Sequence, residues 1–167
     1  MAAVDDIWRS YRSPRKVVRQ HFSRARSEPR LFTLLVAAMI VIFTAQWPRL
    51  AREQFENPDV PMAGLMLGTA MALAAVTPFI YLLAWLVAQA LRLVGGRGDG
   101  YGGRLALFWA LLSVSPLMLL QGLVTGMIGP GLQANVIGGI VFAVFVLFWG
   151  MGIKVTQFEP VQTGTPE

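Results

Sequence analysis

Few side chains in this sequence could take part in chemistry, and those few stand apart from one another. The chain has no cysteine, and its single histidine, His21, lies in a basic N-terminal segment. One chain therefore offers no pair of histidine or thiolate ligands for zinc or haem. Ser113 and Ser115 have no nearby histidine or lysine to act as the base that a serine nucleophile needs. We predict no catalytic residue, no cofactor, no metal ligand and no enzymatic activity.

A glycine-rich segment, RLVGGRGDGYGGR at 92–104, is the stretch that invites comparison with a phosphate-binding loop. A dinucleotide fingerprint follows a strand and opens a helix, and a P-loop ends in Lys-Ser or Lys-Thr. This segment joins two apolar runs and lacks that ending. We interpret it as a flexible basic connector rather than a nucleotide site.

The elements around these residues are read from charge-free runs. The run 105–153 holds forty-nine residues without a charge, whereas a hydrocarbon core of about 30 Å is crossed by roughly 20 helical residues. Gly129-Pro130-Gly131 supplies a turn near its middle, which predicts spans at 105–127 and 132–153. Shorter runs predict further spans at 31–47 and 62–91. The fold class is therefore all-α: a polytopic membrane protein with a four-helix transmembrane bundle over 31–153, or five spans if 62–91 divides at Pro78.

The basic segment 1–30 is expected to contain a short amphipathic helix. Ser13-Pro14 is typical of a helix start, and Val18, Phe22 and Ala25 follow at helical spacing up to Arg26. Such a helix suits the surface of an anionic membrane; the alternative is an exposed leader that only sets topology. The residues predicted to bind the membrane surface are Arg15, Lys16, Arg19, Arg24 and Arg26.

Charge predicts the orientation of the bundle. With four spans, twelve of the fourteen Lys and Arg lie on the side of the two termini and the glycine-rich segment. The positive-inside rule then places both termini in the cytoplasm, with 154–167 as a flexible tail. Arginine outnumbers lysine, and alanine and glycine are abundant, as in GC-rich bacterial coding; we expect a bacterial inner membrane. Basic residues beside apolar spans explain the net charge of +5, so nucleic acid is not an expected partner.

Small residues and prolines predict how the helices pack. Gly64, Gly68 and Ala72 recur at every fourth position, a pattern that allows close helix approach. We expect this face to pack inside the bundle against small residues of the third and fourth spans, Gly122 and Gly126 among them. Two prolines, Pro78 and Pro116, are expected to kink their helices, with Thr77, Ser113 and Ser115 bonding the carbonyl groups that they free.

Polar groups inside the spans leave two functional interpretations open. The charge-free runs disfavour ion-coupled transport, which relies on intramembrane ionisable residues. The first interpretation is a non-enzymatic scaffold or adaptor for lipid, a protein partner or further copies of the chain. The alternative is an oligomeric channel or transport-related protein, with a polar path near Ser115, Gln121 and Thr125.

Several of these features resemble the Yip (Ypt-interacting protein) family of membrane domains. They are a Ser-Pro-Arg element before the first span, a second long span ending in LVGGRGDGYGG, and Val114-Ser115-Pro116 in the third span. The resemblance covers 9–153. It implies a membrane-embedded, non-enzymatic scaffold with no catalytic residues, although Yip proteins usually have five spans and four are counted here.

Overall fold

The structure, a computed structural model, describes residues 2–23, 26–97 and 99–159, with side chains from Asp6 onward, and in this part of the chain the fold consists of helices and short connections without strands. The helices are α1 (Ala2–Arg12), α2 (Pro14–Ser23), α3 (Glu28–Glu56), α4 (Met62–Leu93), α5 (Gly100–Ile128) and α6 (Leu132–Ile153), and a π-helical segment (Lys154–Phe158) continues α6. Helices α3 to α6 are long and apolar enough to cross a membrane. The predicted all-α, four-span bundle is confirmed, and the chain is a multi-pass membrane protein.

Helix α3 continues well beyond its apolar run. The predicted span ends at residue 47, but the helix passes through Pro48 and ends at Glu56. Two ion pairs at helical spacing, Arg49–Glu53 at 3.2 Å and Arg52–Glu56 at 2.7 Å, lie along the added turns. Ion pairs at this spacing stabilise a helix in water. A search for charge-free runs cannot detect such helical turns, because they are charged.

Helix α5 is the centre of the bundle. It contacts every other helix, and nearly all of its residues from Tyr101 to Ser115 are buried. Phe108 is fully enclosed and packs with Leu31 and Leu35 of α3 and with Ala84 of α4. Since α5 also contacts both N-terminal helices, it organises the whole described fold.

The closest backbone approach in the bundle joins α5 to α3. A Cβ atom built on Gly122 would overlap the Ala45 carbonyl oxygen, and one on Gly126 would lie 2.7 Å from the carbonyl carbon of Pro48. Gly122 and Gly126 are therefore packing glycines, because their missing side chains let the two backbones meet. Their predicted partner, the small-residue face of α4, is wrong, since the helix that they meet is α3.

The predicted packing face of α4 is wrong. Gly64, Gly68 and Ala72 are exposed, and a Cβ atom on Gly68 would have no neighbour within 4 Å. Helix α4 meets the bundle near its C-terminal end, where Ala84 and Ala88 are buried against Gly103 of α5. A cavity of about 470 Å³ with an apolar lining lies between α3 and residues 70–77 of α4.

Pro78 and Pro116 lie inside continuous helices. For Pro116, the carbonyl group that it leaves without a backbone donor is hydrogen-bonded as predicted. The Ser115 hydroxyl donates to the Leu112 carbonyl at 2.7 Å, which is the carbonyl that Pro116 frees. Thr77 instead donates to the Leu73 carbonyl at 3.1 Å, one residue before the carbonyl that Pro78 frees. Its partner was therefore predicted wrongly, because a threonine hydroxyl reaches its own i−4 carbonyl more readily.

Both ends of the described chain fold onto the bundle. Helix α1 was not predicted, and α2 buries Val17, Val18 and His21 against the protein, so its apolar side is not free to enter lipid. The segment Lys154–Phe158 was assigned to a flexible tail, but it is helical and buries Val155, Thr156 and Gln157. Residues 160–167 of that predicted tail lie outside the described residues.

Candidate functional site at the N-terminal cap

Helices α1 and α2, here called the cap, cover one end of the bundle and contain its most unusual polar cluster. Arg30 Nη2 lies 2.6 Å from His21 Nδ1. A guanidinium group only donates hydrogen bonds, so Nδ1 must accept and the ring proton belongs on Nε2. That nitrogen lies 3.2 Å from Asp6 Oδ2. The neutral imidazole therefore sits between a carboxylate and a guanidinium, with the side chains of Asp6 and His21 both buried.

The same cluster is tied to the central helix by aromatic and hydroxyl groups. The His21 ring lies against the Trp109 indole, with ring centroids 4.4 Å apart. Trp109 Nε1 donates to Ser10 Oγ at 3.1 Å, and Ser10 donates to the Asp6 carbonyl at 2.9 Å. Buried polar groups are costly when they lack a hydrogen-bond partner, so these contacts favour a single position of the cap on the bundle. No group of three metal-ligating side chains occurs among the described residues.

Tyr11 fixes the depth of the cap along the bundle. Its hydroxyl donates to the Ser113 carbonyl at 3.0 Å, and its ring meets Phe148 edge-on with centroids 5.3 Å apart. Burial raises the pKa of Tyr11, so the phenol keeps the proton that it donates. Ser113 lies eight positions after Leu105, where the charge-free run begins, which is about 12 Å along a helix. Helix α1 thus lies beside the first half of the apolar run of α5.

The glycine-rich connection is held by the π-helical segment. The side chain of Gln157 accepts from the Asp99 backbone N–H at 3.0 Å and donates to the Asp99 carbonyl at 2.9 Å. Asp99 also caps α5 by accepting from the Tyr101 N–H, and it pairs with Arg26 at 3.1 Å. The connection is therefore anchored at Asp99, next to the cap.

The predicted membrane-surface residues divide into two groups. Arg19 pairs with Glu159 and Arg26 with Asp99, so the positive charge of each is partly neutralised by a carboxylate of the protein. Arg15 and Lys16 are exposed and have no ion pair among the described residues. Arg24 lies outside the described residues.

Sequence reasoning missed two further basic residues, Arg9 and Arg12, which are also exposed on the cap. The signal available was their position before the Ser13-Pro14 helix start, which makes a second helix upstream of it possible. Together with Arg15 and Lys16 they form what we call the basic face. Trp8, beside this face, is 69% exposed, and exposed indoles favour the headgroup level of a membrane.

The polar residues of the alternative channel interpretation are only partly brought together. Gln121 and Thr125 line a cavity of about 250 Å³ with Gln46 and Arg49 of α3. The Thr125 hydroxyl donates to the Gln121 carbonyl of its own helix at 2.9 Å. Ser115 lies outside this cavity, buried and bonded to Leu112.

No family model, no curated protein and no solved structure matches this chain.

Proposed function

We propose that the chain is a non-enzymatic scaffold of a bacterial inner membrane, which gathers anionic lipid at its cap. In this proposal the cap faces the cytoplasm, and the resemblance to Yip-type membrane domains reflects a common role as a membrane scaffold or adaptor. The single observation that carries the proposal is the basic face: four exposed cations of a folded cap, Arg9, Arg12, Arg15 and Lys16, on helices that pack against the first half of the apolar run of α5.

The physical basis is the attraction between fixed cations and anionic headgroups. Each basic residue near such a surface contributes about 1 kcal/mol, and the attraction falls off within a Debye length. Contacts of Asp6, His21 and Trp109 hold the helices that carry these cations, so the backbone of the cap needs no ordering when lipid binds. The opposite end of the bundle carries only Arg49 and Arg52, and both pair with glutamates. Anionic lipid is therefore expected to gather at one end of the protein.

The lipid that surrounds the protein tests this proposal. Full-length protein is extracted from membranes directly into polymer-bounded discs, and the ratio of anionic to zwitterionic lipid is measured against that of the bulk membrane. The parent is expected to be enriched in anionic lipid. A variant with Gln at positions 9, 12, 15 and 16 should approach the bulk ratio.

A matched control replaces Arg49 and Arg52 by Gln, which removes cations from the opposite end. This control should retain the enrichment. Equal lipid ratios in the parent and the four-site variant would contradict the proposal, as would the same loss in the control.

A further inference from the structure

A groove runs between the two helices of the cap. Its volume is about 350 Å³, near the low end for small-molecule pockets. The turn at Ser13 draws the helices together: Ser13 N–H donates to the Arg9 carbonyl at 2.8 Å, and Lys16 N–H donates to the Ser13 carbonyl at 3.1 Å. The residues that line the groove are Arg9, Arg12, Ser13, Lys16, Val17 and Gln20.

The charge within this groove is unbalanced. Three of its lining residues are cations and none is acidic. Several arginines elsewhere on the described chain are paired with carboxylates, as in Arg104–Glu28, Arg19–Glu159 and Arg26–Asp99. Arg9, Arg12 and Lys16 have no ion pair with any side chain that the structure describes, a set that begins at Asp6. Three like charges around one concavity repel each other, and a bound anion would relieve that repulsion.

The types of these residues indicate which anion fits. A guanidinium group presents a planar fork that binds two oxygens of a phosphate at once, while a lysine ammonium binds phosphate as a point charge. The Ser13 hydroxyl and the Gln20 amide are additional hydrogen-bonding groups at the rim. A phosphomonoester carries close to two negative charges and three free oxygens. A phosphodiester offers one charge and two free oxygens, so it would use this donor set less completely.

We propose that the groove between α1 and α2 is a binding site for a phosphomonoester group. Two sources share this chemistry: the headgroup of a lipid such as phosphatidic acid, and a soluble phosphate ester. Tyr11 lies between Arg9 and Arg12 in sequence and contacts Ser113 and Phe148 of the spans, so the helix that carries two of the groove's cations packs directly against the apolar bundle. The lipid source rests on the proposed function, in which the cap meets anionic lipid.

The test measures lipid binding to the full-length protein by native mass spectrometry. Phosphatidic acid is compared with phosphatidylglycerol of the same acyl chains, and glycerol 3-phosphate serves as a soluble competitor. One extra charge-assisted hydrogen bond corresponds to roughly a tenfold change in affinity, so the parent is expected to prefer phosphatidic acid by about that factor.

The groove variant carries Arg9→Gln, Arg12→Gln and Lys16→Gln, and it should bind the two lipids equally. A charge-matched control carries Arg92→Gln, Arg97→Gln and Lys154→Gln, which removes two arginines and one lysine that are exposed outside the groove and outside the basic face, and it should keep the preference. A second variant with Arg9→Lys and Arg12→Lys keeps the charge but loses both forks, so its preference should also fall. Each variant is first shown to melt like the parent.

Equal binding of the two lipids by the parent would overturn the inference, and so would a groove variant that keeps the preference. Displacement of phosphatidic acid by glycerol 3-phosphate supports the site and shows that soluble esters enter it; a preference without displacement supports the site and assigns it to the lipid headgroup. Anionic enrichment around the parent without a preference for phosphatidic acid would leave the proposed function standing and remove this site. Binding of glycerol 3-phosphate in the groove without lipid enrichment would support the phosphomonoester site and contradict the proposed function.

Discussion

The contact between α3 and α5 makes a sharp prediction about a single methyl group. In Gly122→Ala, the new Cβ atom would overlap the Ala45 carbonyl oxygen and lie 2.9 Å from its carbonyl carbon. These are backbone atoms in mid-helix, so they cannot rotate away as a side chain would. The two helices must separate along the contact that Gly126 and Pro48 continue.

The size of the effect follows from two opposing terms. Overpacking of a closely packed contact costs about 1–3 kcal/mol, and a rigid backbone obstacle places this site near the upper end. Alanine is better than glycine in a helix by about 1 kcal/mol. The net expectation is a loss of about 2 kcal/mol. For a chain of this size that loss lowers the melting temperature by roughly 4–8 °C.

Gly68→Ala is the matched control because the same methyl group would meet nothing within 4 Å. It keeps the helix-propensity gain without the clash, so it should melt at or slightly above the parent. Thermal unfolding in one detergent, followed by tryptophan fluorescence, measures all three proteins. A Gly122→Ala protein that melts like the parent would refute the α3–α5 packing. An equal loss in Gly68→Ala would show that the face of α4 is a contact after all.

Three further predictions concern the cap, the connection and the topology. Replacing His21 by Leu leaves the charges on its two sides without their bridge, and it should lower the free energy of unfolding by about 2 kcal/mol; unchanged melting would contradict the cluster's structural role. Gln157→Ala should speed hydrogen exchange at the Asp99 amide, and unchanged exchange would show that other contacts hold the connection. Because the chain has no native cysteine, cysteines introduced at Asn57 and Gly131 should react with impermeant reagents from outside the cell; protection of both would reverse the orientation.

The number of spans could be predicted from the sequence because the requirement is local. A charge-free run of sufficient length crosses a membrane whatever it packs against, and the run 105–153 needs only its Gly129–Gly131 turn to become two helices. The end of α3 could not be found in this way. Its last turns carry charges that pair with each other, and they extend the helix past Pro48.

Which faces meet could not be predicted, because the small-residue patterns look alike in sequence. Gly64 and Gly68 repeat the spacing of Gly122 and Gly126, yet only the second pair meets another backbone. Which of the two pairs meets a backbone depends on where α4 contacts the bundle. That contact is made by Ala84 and Ala88, near the end of α4 opposite Gly64 and Gly68.

The cap was hidden for a related reason. Helix α1 is polar and short. Its position is fixed by hydrogen bonds to residues about a hundred positions away, between Ser10 and Trp109 and between Tyr11 and Ser113. Sequence reasoning found half of the basic face from the Pro14 helix start. The other half, Arg9 and Arg12, becomes visible only when α1 folds back beside α2.

The gathering of anionic lipid at the cap is tested most directly by a local probe of lipid composition. A fluorophore is attached to Trp8→Cys, an exposed position on the cap, or to Val60→Cys in the connection at the opposite end. The protein is placed in mixed bilayers in which either the anionic or the zwitterionic lipid carries a bromine quencher. We predict that brominated anionic lipid quenches position 8 more than its mole fraction alone would produce, that added salt reduces the excess, and that position 60 shows none. Equal quenching at the two positions would contradict the account.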